Sequence, residues 1–151
     1  MPAERLIVRI VDALFTCFHG LKWATSGQEG LFFAALVEEI DGAEAGSLLF
    51  IAGLSMGGFG ALRIGAKYSG RFLGISGHSS ITCLEQMKLF VEEDLMGYAQ
   101  EHKVDEDWLS TFPQYRGSLP PIRFDCGIDD SLIEYNRELH RKMVKQEIPH
   151  E

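Results

Sequence analysis

The run Gly53-Leu54-Ser55-Met56-Gly57-Gly58 sets one hydroxyl among residues with almost no side chain. A serine attacks acyl groups when its hydroxyl is presented in the open and a base takes its proton. The tightest presentation is a strand that turns at once into a helix, and this turn tolerates only very small residues two before and two after the serine. Gly53 and Gly57 hold those positions, while Gly58 and Gly60 let the helix lie close to its neighbours. The same turn places the Met56 N–H at a helix N-terminus, where it can stabilise a developing oxyanion. A Gly-rich turn can also serve packing or phosphate binding, but neither a P-loop lysine nor a GxGxxG spacing is present.

Such a corner needs a buried strand before it and a helix behind it. Ser47 to Ala52 (SLLFIA) is a short continuous apolar run, the pattern of a strand covered on both faces of a parallel sheet. Phe59 to Tyr68 reads as the helix, ended by Ser69-Gly70. Phe72 to Ser76 and Ile122 to Cys126 read as further strands, and Arg5 to Phe18 as a strand running into a loop at His19-Gly20. Apolar residues recur at helical spacing from Gly30 to Ile40, and again at Leu132, Tyr135, Leu139 and Met143. Residues 81–119 form an insertion carrying an acidic segment and the aromatics Phe90, Tyr98, Trp108, Phe112 and Tyr115. The insertion is expected to be helical and to cover the site as a lid, although aromatics at helical spacing also serve as plain core. Strand, helix, strand, insertion, strand, helix is the rhythm of an α/β protein with a mainly parallel sheet.

The segment Gly53-Leu54-Ser55-Met56-Gly57-Gly58-Phe59-Gly60-Ala61-Leu62 resembles the nucleophile segment of the α/β-hydrolase family that includes esterase D and S-formylglutathione hydrolase. The similarity runs on to Ser76-Gly77-His78-Ser79-Ser80 and resumes at Phe124 to Leu132, which is similar to the family's acid loop. Ile148-Pro149-His150-Glu151 resembles the start of the family's last core strand. The resemblance implies one α/β-hydrolase domain over residues 1–151, shortened at both ends. It also implies hydrolysis of small or short-chain esters. By the family's Gly-x-x-Asp-x-Leu motif the triad acid is Asp130, with Asp129 as runner-up and helix capping as the plainer role.

The base is harder to place. In the order serine, acid, histidine, the histidine follows the last core strand, and none of the five histidines matches that motif. His78, at a strand end beside the corner, is the candidate base, and lining the acyl pocket is its plainer role. His150 is a weaker candidate, His140 reads as a solvated surface residue on the helix after the acid, and His19 and His102 have no supporting context. Two functions therefore stand: a serine carboxylesterase working through an acyl-enzyme on Ser55, or a catalytically impaired hydrolase-fold remnant that binds or assembles. A thiol hydrolase using Cys126 or Cys83 is a weaker third.

The net charge of −8 argues against a nucleic-acid partner, since that affinity comes from Lys and Arg. The three cysteines show no CxxC spacing and read as free thiols of a reducing, cytoplasmic setting. No run is apolar enough to span a bilayer, and no HExxH or nucleotide motif appears, so neither metal nor cofactor is expected. A shortened sheet leaves edges exposed, so a homo-oligomer is expected.

Overall fold

The computed structural model describes residues 6–10, 48–90, 92 and 107–151. The helix expected at Gly30 to Ile40, the loop at His19-Gly20, Cys17, and Tyr98 with most of the acidic run lie outside those residues. Four strands, β1 (Leu6–Ile10), β2 (Leu48–Leu54), β3 (Gly74–His78) and β4 (Ile122–Asp125), form one parallel sheet in the order β1-β2-β3-β4. Three α-helices accompany it among the described residues: α1 (Met56–Lys67), α2 (Trp108–Tyr115) and α3 (Ile133–Lys145).

β2 runs two residues beyond the apolar sequence, through Gly53 to Leu54, because β3 continues to pair with it there. β3 begins two residues later than its apolar run suggests. Ser69–Arg71 closes a 3₁₀ turn, and the Phe72 N–H is still bonded to the Ser69 carbonyl at 3.2 Å. Pairing starts with the Leu73 N–H on the Leu49 carbonyl at 2.8 Å, and the strand then takes in Gly77 and His78.

Side chains alternate across a strand, so the sheet has two distinct faces. One face packs on α1. A Cβ on Gly65 of α1 would meet Ile75 Cγ1 at 2.5 Å and Ile51 Cγ2 at 3.1 Å, and Ile51 and Ile75 are register partners. Phe59, Leu62 and Ala66 of α1, Ile75, Ile122, and Leu139 and Met143 of α3 form the core on this side. Phe112 of α2 is fully buried in the same cluster, with Tyr115 at its margin, so these two insertion aromatics serve as core. Phe90 is half exposed.

Asn136 joins α3 to the loop under the corner. Its Nδ2 donates to the Ser80 carbonyl at 2.9 Å and to the Leu132 carbonyl at 3.0 Å, all buried. Asn136→Ala strands the Ser80 carbonyl, and we expect a loss of about 1–3 kcal/mol in urea-denaturation stability. The last residue lies along the outer edge of β4. The Glu151 N–H donates to the Ile122 carbonyl and the Phe124 N–H to the Glu151 carbonyl, each at 3.0 Å, which is the bonding pattern of a parallel neighbour.

Candidate active site

At the end of β2 the chain turns through Ser55 at φ 55° and ψ −116°, and α1 begins at the next residue. Non-glycine residues rarely adopt such a backbone, and holding one there costs on the order of 1–3 kcal/mol. The corner is tied on three sides. The Ser55 N–H donates to the His78 carbonyl at 2.8 Å, and the Ser55 carbonyl accepts from Phe59 at 3.2 Å and from Ile81 at 3.4 Å. The serine hydroxyl makes no capping bond to α1.

The glycines fit this corner closely. A Cβ on Gly53 would land on the Gly57 carbonyl and lie 2.8 Å from the Gly58 nitrogen. A Cβ on Gly58 would strike the Ser80 side chain, with Ser80 Cβ at 2.9 Å. Gly57 is in the first turn of α1, and Met56, its first residue, carries the amide nearest the helix N-terminus.

Asp130 stands in the loop between β4 and α3. Its Oδ1 accepts from the Leu132 N–H at 2.8 Å, and its carbonyl accepts from Ile133 at 3.0 Å, so it builds the turn that starts the helix. Asp129 is exposed.

His78 ends β3, in register with Leu54 on one side and Asp125 on the other. Its Nδ1 meets Asp125 Oδ2 at 2.8 Å, and its Nε2 meets Ser76 Oγ at 3.0 Å. Both ring nitrogens are thus engaged by residues other than Ser55. His140 Nδ1 and His150 Nε2 bond to each other at 2.8 Å, and His150 Nδ1 donates to the Ile148 carbonyl at 2.7 Å. His19 and His102 lie outside the described residues.

Ser76 is the residue of this region that sequence reasoning missed as a chemical group, while Asp125, lying within its strand, reads from sequence as turned into the sheet. The available signal was the i, i+2 spacing of Ser76 and His78, which puts them on one face of a strand. The Asp125 contact depends on strand pairing, which no local pattern shows.

Burial raises the Cys126 thiol above its ordinary range; Asp130 and Asp125 raise it further, and the Ser79 hydrogen bond and Arg137 oppose them. A raised pKa leaves less thiolate at neutral pH, which counts against a thiol nucleophile here. Alkylation of Cys126 by iodoacetamide at pH 7, followed by peptide mass mapping, is expected to run slower than that of free cysteine.

Among the described residues no group of three or more His, Cys, Asp and Glu could hold a metal ion, and no helix is long and apolar enough to cross a membrane.

No family model matches the chain. Over 106 residues, 60% of this chain and 40% of the relative, it is 35% identical to an acetyl esterase from Caldicellulosiruptor saccharolyticus. Among solved structures it is similar to an S-formylglutathione hydrolase from Staphylococcus aureus, with TM-score 0.65 and 18% identity over 78% of this chain and 52% of that one. A second S-formylglutathione hydrolase, from Agrobacterium tumefaciens, gives TM-score 0.58 and 18% identity over 87% and 53%. A ferulic acid esterase gives 0.60 and 21% over 82% and 51%. The chain spans about half the length of these structures, and less of the acetyl esterase. The fold is that of the α/β-hydrolases, and the resemblance read from the corner and the acid loop is met in sequence by an esterase and in fold by S-formylglutathione hydrolases.

Proposed function

We propose that this chain carries a serine carboxylesterase site, acting on small or short-chain acyl esters. The observation that carries the reading is the strained Ser55 at the corner between β2 and α1, where the helix N-terminus begins at the next residue. Ser55 Oγ attacks the ester carbonyl, the Met56 N–H at the start of α1 stabilises the oxyanion, and the alcohol leaves. Water then releases the acyl group. The acetyl esterase relative supports ester hydrolysis as the reaction class.

Asp130 is the proposed acid of the relay and His78 the proposed base. His78 can pair with Asp130 and take the Ser55 proton only after its Nδ1 leaves Asp125 and its Nε2 leaves Ser76. That engagement also favours the second reading, a hydrolase fold impaired in turnover that binds or assembles. The partner proposed under either reading is a small ester, with no nucleic acid and no cofactor; a homo-oligomer in the cytoplasm completes the proposal.

The test is incubation with a fluorophosphonate, followed by mass mapping of the chain. Stoichiometric modification of Ser55, with parallel loss of ester hydrolysis, is the expected result. An unmodified Ser55 on protein with native circular dichroism would overturn the nucleophile assignment.

A further inference from the structure

We propose that Ser76, His78 and Asp125 form a second hydroxyl-activating relay, with Ser76 as the nucleophile in place of Ser55 and His78 shared as base, that accepts acyl groups from activated esters. The bonding order is that of a nucleophile, a base and an orienting carboxylate: Ser76 Oγ to His78 Nε2 at 3.0 Å, and His78 Nδ1 to Asp125 Oδ2 at 2.8 Å. The Asp125 carboxylate can only accept at that contact, so Nδ1 carries a proton. The Nε2 lone pair of the neutral ring then accepts from the Ser76 hydroxyl.

Strand geometry alone produces this arrangement. Ser76 and His78 are two apart on β3 and share a face, and Asp125 is the register partner of His78 on β4. The face is the one opposite α1. There the sheet borders a groove of about 1240 Å³ that Ser76 and His78 line together with Phe50, Leu73 and Leu119. Arg123, the register partner of Ser76 on β4, lines the same groove and offers a cation for an oxyanion formed at Ser76. The His78 and Asp125 side chains are 40% and 54% exposed, so an ion pair between them adds little to stability, and the contact is open to a ligand.

In the proposed step Ser76 Oγ bonds to the acyl carbon of an aryl ester as the bond to the aryloxide breaks. The Ser76 proton passes to His78 Nε2 and then to solvent, and the aryloxide departs as the anion. The apolar side chains of the groove fit a short acyl chain or the aryl ring. Asp125 is a positioning residue, which acts by holding Nδ1–H.

The experiment treats the Ser55→Ala chain with p-nitrophenyl acetate and maps the peptide from Phe72 to Lys88, which trypsin releases by cutting after Arg71 and Lys88. Fragmentation distinguishes Ser76 from Ser79 and Ser80. Acetyl on Ser76 is expected in the Ser55→Ala background and absent from Ser55→Ala, Ser76→Ala. Adding His78→Ala is expected to slow it on the order of a hundredfold or more. Asp125→Asn is expected to slow it also and to change the tautomer read from the His78 ring-nitrogen NMR shifts. No acetyl on Ser76, or acetylation at the same rate without His78, overturns the proposal. Because Ser55 is absent throughout, failure here leaves the Ser55 reading standing, and failure of that reading leaves this one testable.

Discussion

Ser55→Ala is expected to lower steady-state hydrolysis of a short-chain chromogenic ester on the order of a thousandfold or more, to the level of solvent and binding effects. Alanine removes the attacking oxygen but keeps the Cβ, so the corner keeps its shape. The companion change, Ser55→Gly, separates chemistry from strain. Glycine adopts φ 55° freely, so this variant is expected to be just as inactive yet more stable by about 1 kcal/mol in urea denaturation. A strained residue that stabilises the fold when replaced, and silences it, is one held in place for reaction. If Ser55→Ala hydrolyses the ester at the wild-type rate, the esterase reading of this corner is wrong. The acetylation proposed at Ser76 does not blur this result, because it concerns acyl transfer to a side chain and not repeated turnover.

The second large effect is expected at Gly53→Ala. The added methyl would fall on the Gly57 carbonyl and crowd the Gly58 nitrogen, all main-chain atoms of the first turn of α1. They can yield only by opening the turn that presents Ser55. A loss of about 3 kcal/mol or more is expected, together with loss of hydrolysis. Gly65→Ala is the control. Its methyl would meet Ile75 Cγ1 at 2.5 Å and Cδ1 at 2.7 Å, buried side-chain atoms that can repack at about 1–3 kcal/mol without opening the turn that presents Ser55. A Gly53→Ala protein with an unchanged urea midpoint would mean that the corner can be built without its glycine.

The corner itself was legible in the sequence because one short segment both makes it and needs it. The apolar run of β2, the two glycines and the small-residue helix are adjacent, so local sterics define them. The start of β3 was less legible, since Gly74, Ser76, Gly77 and His78 have little strand preference and pair because β2 and β4 flank them. Phe112 illustrates a different difficulty: an aromatic at helical spacing fits a lid and a core equally well, and only its burial beside α1 decides between them. The proton relay was the least legible part. His78 could be read as lying near the corner, but its two partners follow from the pleat of β3 and from an alignment of strands 47 residues apart in the chain. Asp130 lies in the loop after β4, and its observed bond is the one that begins α3, so its part in the chemistry rests on the family resemblance.

The alternation of β3 has a consequence for how this protein tolerates insertions and deletions. Ile75 and Gly77 face α1, where a Cβ on Gly77 would meet Leu62 Cδ1 at 2.8 Å, while Ser76 and His78 face the groove. Losing or gaining one residue between the 3₁₀ turn at Ser69–Arg71 and Ser76 would exchange the two sets. The imidazole would be driven against α1 and an isoleucine turned out into the groove, so one frame error would damage the core and dismantle the relay together. A two-residue change would restore the facing but move the histidine one rung along Asp125. Length, more than composition, is therefore the property of this short strand that selection would police.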